Sequence, residues 1–166
     1  KLTQEHFPSG ETFHYEKGKP KQVQKELKDG AKEIYKDGKL IQKITVDGTT
    51  YFFDGESGKM KQKNFPGGVV EFYDPNTEML IERDEKDGTV KFFEDGKIVQ
   101  QHNPDGSREI YENDEVVERH FKKTPTNKHE VEWYEKGKIV QYKTWGGKEV
   151  LVKSNKTIHM QVEGKR

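Results

Sequence analysis

Glycine recurs along this chain at Gly10, Gly30, Gly48, Gly67, Gly88, Gly106, Gly146 and Gly164, near multiples of about nineteen residues. Asn127 stands in the one gap. A second series runs between them, at Gly18, Gly38, Gly58, Asn76, Gly96, Asp114, Gly137 and Asn155. Glycine supplies the positive φ of tight hairpin turns, and Asn and Asp tolerate it best among the rest. Each period therefore holds two reversals of chain direction, which leaves room for short strands and little else. The segments between turns repeat as well. Ala31-Lys-Glu-Ile-Tyr35-Lys-Asp-Gly-Lys-Leu40-Ile-Gln42 has the same layout as Thr89-Val-Lys-Phe-Phe93-Glu-Asp-Gly-Lys-Ile98-Val-Gln100 and as the stretch from His129 to Gln141. One strand ends on an aromatic, the chain turns at Gly-Lys, and the next strand opens on two aliphatic residues and a glutamine. That is a β-hairpin written about eight times. Helical periodicity persists nowhere, and Lys21 to Leu27 reads as a further strand. Lys122 to Lys128 is the single interruption and reads as a loop, not a domain boundary, because the repeat resumes beyond it.

How the strands pack follows from their apolar content. Adjacent residues of a strand point to opposite faces. Phe52/Phe53, Phe72/Tyr73, Phe92/Phe93 and Trp133/Tyr134 therefore place one aromatic on each side, as do the aliphatic pairs Leu40/Ile41, Leu80/Ile81, Ile98/Val99, Val116/Val117 and Ile139/Val140. A sandwich would alternate apolar and polar residues, and a closed barrel would need a consistently apolar inner set. Only 29% of residues are hydrophobic while 36% are charged, too little apolar surface for two packed layers. The expectation is an all-β fold in one domain over residues 1–166. It is an elongated single-layer antiparallel sheet, a meander of about sixteen short strands, solvent-exposed on both faces and held by cross-strand ladders.

The same composition narrows function. Thirty basic residues balance thirty acidic ones, so neither a nucleic acid nor an anionic membrane is the expected partner. The absence of cysteine excludes disulfides and thiolate chemistry. No apolar run approaches a membrane span and the N-terminus lacks a signal-peptide pattern, so an intracellular chain is expected. The six histidines form no short-range metal-ligand pair, and the Asp-Gly pairs lack a calcium-loop context. Gly55-Glu56-Ser57-Gly58-Lys59-Met60 has the wrong spacing for a phosphate loop, and Met60 stands where a hydroxyl should bind magnesium. Dispersed carboxylates, each near a lysine, suit an ion-paired surface. No enzyme, cofactor or metal is expected. The informative residues are aromatic: with no second layer to cover both faces, a stripe across successive strands offers a groove for an extended proline-rich peptide. A strip for carbohydrate, or a spacer that self-associates through its open sheet edges, is the competing reading.

The turns also carry a family resemblance. Tyr51-Phe52-Phe53-Asp54-Gly55, Lys61-Gln62-Lys63-Asn64-Phe65-Pro66, Asp87-Gly88-Thr89-Val90 and the stretch from His102 through Asn103-Pro104-Asp105-Gly106 to Ile110 resemble the C-terminal domain of T-complex protein 10. This is the G-box of the CPAP family of centriole-assembly scaffolds. The resemblance implies a free-standing antiparallel sheet that binds a proline-rich motif of a STIL-type centriole protein, works at the centrosome or centriole in the cytoplasm, and associates end to end. It assigns peptide binding to Phe52 and Phe53 and to Phe72 or Tyr73 in the next aromatic strand, and the aromatic stripe itself adds Phe92. A family glutamate falls at Gln100 here, which removes a charge but leaves a hydrogen-bonding group.

Overall fold

The computed structural model describes residues 2–17, 22–153 and 156–159. It is all-β and antiparallel, with every strand paired to its neighbour in sequence within each of two compact units, Lys1–Lys86 and Asp87–Arg166. Unit 1 holds β1 (Leu2–His6), β2 (Thr12–Glu16), β3 (Gln22–Glu26), β4 (Lys32–Lys36), β5 (Lys39–Ile44), β6 (Thr50–Phe53), β7 (Met60–Asn64), β8 (Val70–Tyr73) and β9 (Leu80–Asp84). Unit 2 holds β10 (Val90–Glu94), β11 (Lys97–His102), β12 (Arg108–Glu112), β13 (Glu115–His120), β14 (His129–Glu135), β15 (Lys138–Thr144), β16 (Glu149–Lys153) and β17 (Lys156–His159). Each unit is one layer, wet on both faces. Among the described residues only Ala31, Val131 and Val150 are buried hydrophobics.

Two turn chemistries alternate. Asp37–Gly38, Asp95–Gly96, Asn113–Asp114 and Lys136–Gly137 all have positive φ, the two-residue turn whose twist matches the flanking strands. Longer turns join β6 to β7 and β8 to β9, while at Gly10, Gly30, Gly48, Gly68, Gly106 and Gly147 a three-residue turn closes on a left-handed glycine. In one of these, Gly48 N donates to the Thr45 carbonyl (3.0 Å) and Thr45 N to the Thr49 carbonyl (2.9 Å). The preceding aspartate completes it: Asp29, Asp47, Asp87 and Asp105 each accept the backbone N–H two residues on. The Thr45 hydroxyl first and this backbone bond second hold the Asp47 carboxyl below the usual range, the Ser107 hydroxyl and then its backbone N–H do so for Asp105, and the Thr89 N–H leads for Asp87.

Several turn assignments shift from the sequence expectation. Gly68 (φ 92°) and Gly147 (φ 83°), not Gly67 and Gly146, take the left-handed position, because each is the residue that closes the three-residue turn. Around Asn76 the loop is longer, and Glu78 (φ 61°) bends back to the Asp74 carbonyl. Asn127 does not mark a turn; its side chain holds the interruption together, donating to the Lys122 carbonyl (2.5 Å) and accepting from Thr124 N (3.0 Å). Gly18, Asn155 and Gly164 lie outside the described residues.

The aliphatic pairs behave differently from simple alternation. In the β10–β11 hairpin Phe92 faces Gln100 and Phe93 faces Ile98, so Val99 is one residue too many. Ile41, Lys61, Ile81, Val117 and Val140 are the same extra residue in their own hairpins. A β-bulge at this point resets the face pattern of the second strand and sharpens its right-handed twist. The face assignment made for Leu40/Ile41 and its counterparts therefore fails, whereas the aromatic pairs, on the unbulged strand, do alternate.

Candidate functional site

Residues directly opposed across antiparallel strands share a face. On one face of unit 1 the register runs Ile34, Gln42, Phe52, Gln62, Phe72, Glu82. From Gln42 to Phe72 amides and large rings thus alternate strand by strand. Phe52, Gln62 and Phe72 are all half-buried with no layer above them, and the Gln62 amide is steadied by donating to Asn64 Oδ1 at 2.8 Å.

The opposite face of unit 1 is a charge ladder: Lys25, Glu33, Lys43, Tyr51, Lys63, Glu71, Arg83. Glu71 is buried, with Arg83 Nη1 at 2.6 Å from one oxygen and the Tyr73 hydroxyl donating to the other. Arg83 Nε also reaches Glu85 at 2.9 Å, and the Lys63 ammonium lies 4.4 Å from the Phe65 ring centre. The Glu-x-Tyr arrangement recurs at Glu33/Tyr35, Glu109/Tyr111 and Glu132/Tyr134. Burial first, and the carboxylate beside each hydroxyl second, push Tyr35, Tyr73, Tyr111 and Tyr134 up to about 12.

The six sequence-predicted residues therefore fall into three groups. Phe52 and Phe72 sit together on the amide-rich face. Phe53 and Tyr73, opposed by Met60 and Leu80, belong to the charged face. Phe92 and Gln100 face each other in unit 2, where the Phe92 ring meets His102 edge-on at 5.2 Å and the Gln100 amide touches His102. Sequence reasoning passed over Gln42 and Gln62. The signal was present in the glutamine that closes the aliphatic pair of each repeat, at Gln42, Gln100 and Gln141.

No family model and no curated protein matches this chain. Among solved structures, the TCP10 domain of Danio rerio CPAP in complex with a peptide of Danio rerio STIL matches with a TM-score of 0.55 at 18% identity, covering 90% of this chain and 87% of that one. The chain has the TCP10-domain fold. The same zebrafish domain solved as the wild type alone gives a TM-score of 0.44 at 15% identity, over 95% of this chain and 83% of that one. The Drosophila melanogaster Sas-4 domain in complex with a proline-rich motif of Ana2 gives 0.34 at 15% identity, over 97% and 90%. At these identities the likeness to TCP10 domains is one of fold.

Proposed function

We propose that this TCP10-fold chain is a peptide-docking module of a centriole-assembly scaffold, not an enzyme, and that it takes a proline-rich segment of a STIL-type protein across β6–β9 on the row Phe52–Gln62–Phe72. The observation that carries the reading is the match, over nearly all of both chains, to a TCP10 domain holding a STIL peptide. The row's geometry supports it. Strands lie about 4.8 Å apart, so Phe52 and Phe72, two strands apart, are separated by about 9.6 Å. A polyproline II helix rises about 3.1 Å per residue with three residues per turn, a repeat of about 9.3 Å. Prolines spaced three apart would meet the two rings in turn, and the amides of Gln42 and Gln62 would reach the peptide carbonyls, which have no internal partners. Phe53 and Tyr73 would act from beneath, keeping the strands in register.

Calorimetry with a proline-rich STIL-type peptide tests this. Phe52→Ala and Phe72→Ala should each weaken binding by about 2 kcal/mol, as expected for hot-spot rings. Phe53→Ala should change it little. Unchanged affinity in the first two variants, with circular dichroism intact, would overturn the assignment; a loss confined to Phe53→Ala would move the site to the charged face.

A further inference from the structure

Of the six prolines in this chain, only Pro125 follows a hydroxyl residue, Thr124. The pair lies in residues 121–128, the segment between β13 and β14 that interrupts the hairpin repeat, and Thr124, Pro125 and Thr126 are all exposed. Proline lacks an N–H and holds the residue before it in extended backbone, and a hydroxyl presented that way is what proline-directed protein kinases accept. The contacts that hold the loop are light. Asn127 N donates to Thr124 Oγ1 at 3.2 Å and Thr124 N donates to Asn127 Oδ1 at 3.0 Å, both at the surface. Exposed hydrogen bonds of this kind open locally at small cost, which lets the segment enter an enzyme's cleft.

Charge marks the same hydroxyl. Lys122, Lys123 and Lys128 flank it in the chain, and among the described residues none of the three has a carboxylate partner. The Lys122 stem lies over the turn at Gly106, and Lys123 Nζ stands 5.9 Å from the Trp145 ring centre. Carboxylates on the bordering elements are engaged elsewhere: Asp105 by Ser107 N at 2.8 Å, Glu118 by His120, Glu130 by Lys143 at 3.4 Å and Glu132 by His129 at 2.6 Å. A chain with thirty charges of each sign thus leaves three cations unopposed beside one threonine. We propose that Thr124 is a phosphorylation site for a proline-directed protein kinase, and that Lys122, Lys123 and Lys128 hold the phosphate. The kinase moves the γ-phosphoryl group of magnesium-ATP to Thr124 Oγ1. The Oγ1–P bond forms, the bond from that phosphorus to the β-phosphate oxygen breaks, ADP leaves, and the hydroxyl proton passes to the kinase's base. A phosphothreonine carries about −1.5 to −2 at pH 7, most of what three lysines oppose. Asn127 N–H already points at Oγ1 and gives the phosphate a backbone donor as well. None of these residues belongs to the row on unit 1, so this site stands or falls separately from it.

The full chain, incubated with magnesium-ATP and either a cyclin-dependent or a mitogen-activated kinase, should take up phosphate on Thr124, located by fragment mass spectrometry. Thr124→Ser, which keeps the hydroxyl, should still take it up, whereas Thr124→Val and Pro125→Ala should not. Phosphorus NMR then reads the titration of the phosphate itself. Clustered cations favour the dianion, so its second pKa should lie below the value of about 6 for phosphothreonine in a free peptide. Replacing Lys122, Lys123 and Lys128 together by glutamine should return it to about 6, and high salt should move it the same way. No uptake with either kinase, uptake at Thr126 or elsewhere in place of Thr124, or undiminished uptake in Pro125→Ala would each overturn the proposal. A phosphate on Thr124 that titrates at about 6 in the otherwise unsubstituted chain would overturn the role of the lysines and the proposal with it.

Discussion

Arg119 is where the charged face can be weighed. In register it stands between Glu109 and Glu132, with Nε and Nη2 at 2.9 and 2.5 Å from Glu109 Oε1. Its guanidinium lies 5.5 Å from the Tyr134 ring centre and 6.0 Å from that of Phe121. Glu109 is 8% exposed and keeps one other partner, the Tyr111 hydroxyl at 2.8 Å. Breaking a fully buried pair costs about 3–5 kcal/mol and an exposed one about 0–1. Here the carboxylate is buried and the arginine side chain is 36% exposed, so the pair falls between those limits at about 2 kcal/mol. The ring contacts add about 0.5. Arg119→Met, which preserves the aliphatic stem, should therefore destabilise the protein by about 2–3 kcal/mol. Arg119→Lys should recover less than half of that, because an ammonium cannot span the same groups. Glu109→Gln still accepts from Tyr111, and the double variant with Arg119→Met should show a coupling of about 1 kcal/mol. Urea denaturation gives the global value. Amide exchange across β12–β14 is the sharper readout, because a strand that touches only its neighbours can open locally. A shift within about 0.5 kcal/mol, or no coupling, would falsify the view that this ladder holds the sheet.

Three further outcomes are expected. Tyr35, Tyr73, Tyr111 and Tyr134 are pushed up to about 12 in the fold, so their contribution is complete below the unfolded value near 10 and is lost as pH rises from about 10 through 12. Absorbance at about 295 nm, which reports tyrosinate, should rise in step with loss of β-sheet dichroism there. Gly68→Ala should cost about 1–2 kcal/mol because its φ is 92°, the 3.6 Å from a β-carbon to Lys86 Cγ being ordinary contact. Gly67→Ala, with ordinary φ and open space, should shift the melting temperature negligibly. Asn127→Ala removes three hydrogen bonds from the loop and from Trp145, and should destabilise by about 1–2 kcal/mol with a red shift of Trp145 emission.

The architecture is legible in the sequence because positive φ is a local demand that few residues meet. Asp37–Gly38 and Asp95–Gly96 announce their turns unaided. Scarcity of apolar residues is equally direct evidence for a single layer. The bulges are not local. Ile98 and Val99 look like any alternating pair until Gln100 is counted against Phe92 across the hairpin, and only pairing reveals that one residue is left over. Alternation alone puts Phe52 and Phe53 on opposite faces, but what each face carries needs the cross-strand pairing. Phe52 and Phe53 are neighbours in the chain and strangers in space, one among glutamines and the other over the ion pairs. Choosing between Gly67 and Gly68 needed the length of the turn, which composition does not contain. Asn127 read as a turn marker because asparagine serves that role elsewhere, whereas here its amide ties a loop to a tryptophan on the following hairpin.

A strand order that follows the chain has a mechanical consequence. The chain enters unit 1 at β1 and leaves it at β9, at opposite ends of that order, so tension between the two runs along the hydrogen-bond direction. Ladders pulled this way unzip bond by bond and do not share the load as sheared strands do. The Tyr73–Glu71–Arg83 cluster and the Tyr35–Glu33 pair would then act as successive catches, each releasing its own hairpin. Under pull this sheet should lengthen by a hairpin at a time at low force, and rewind by the same steps when the load is removed.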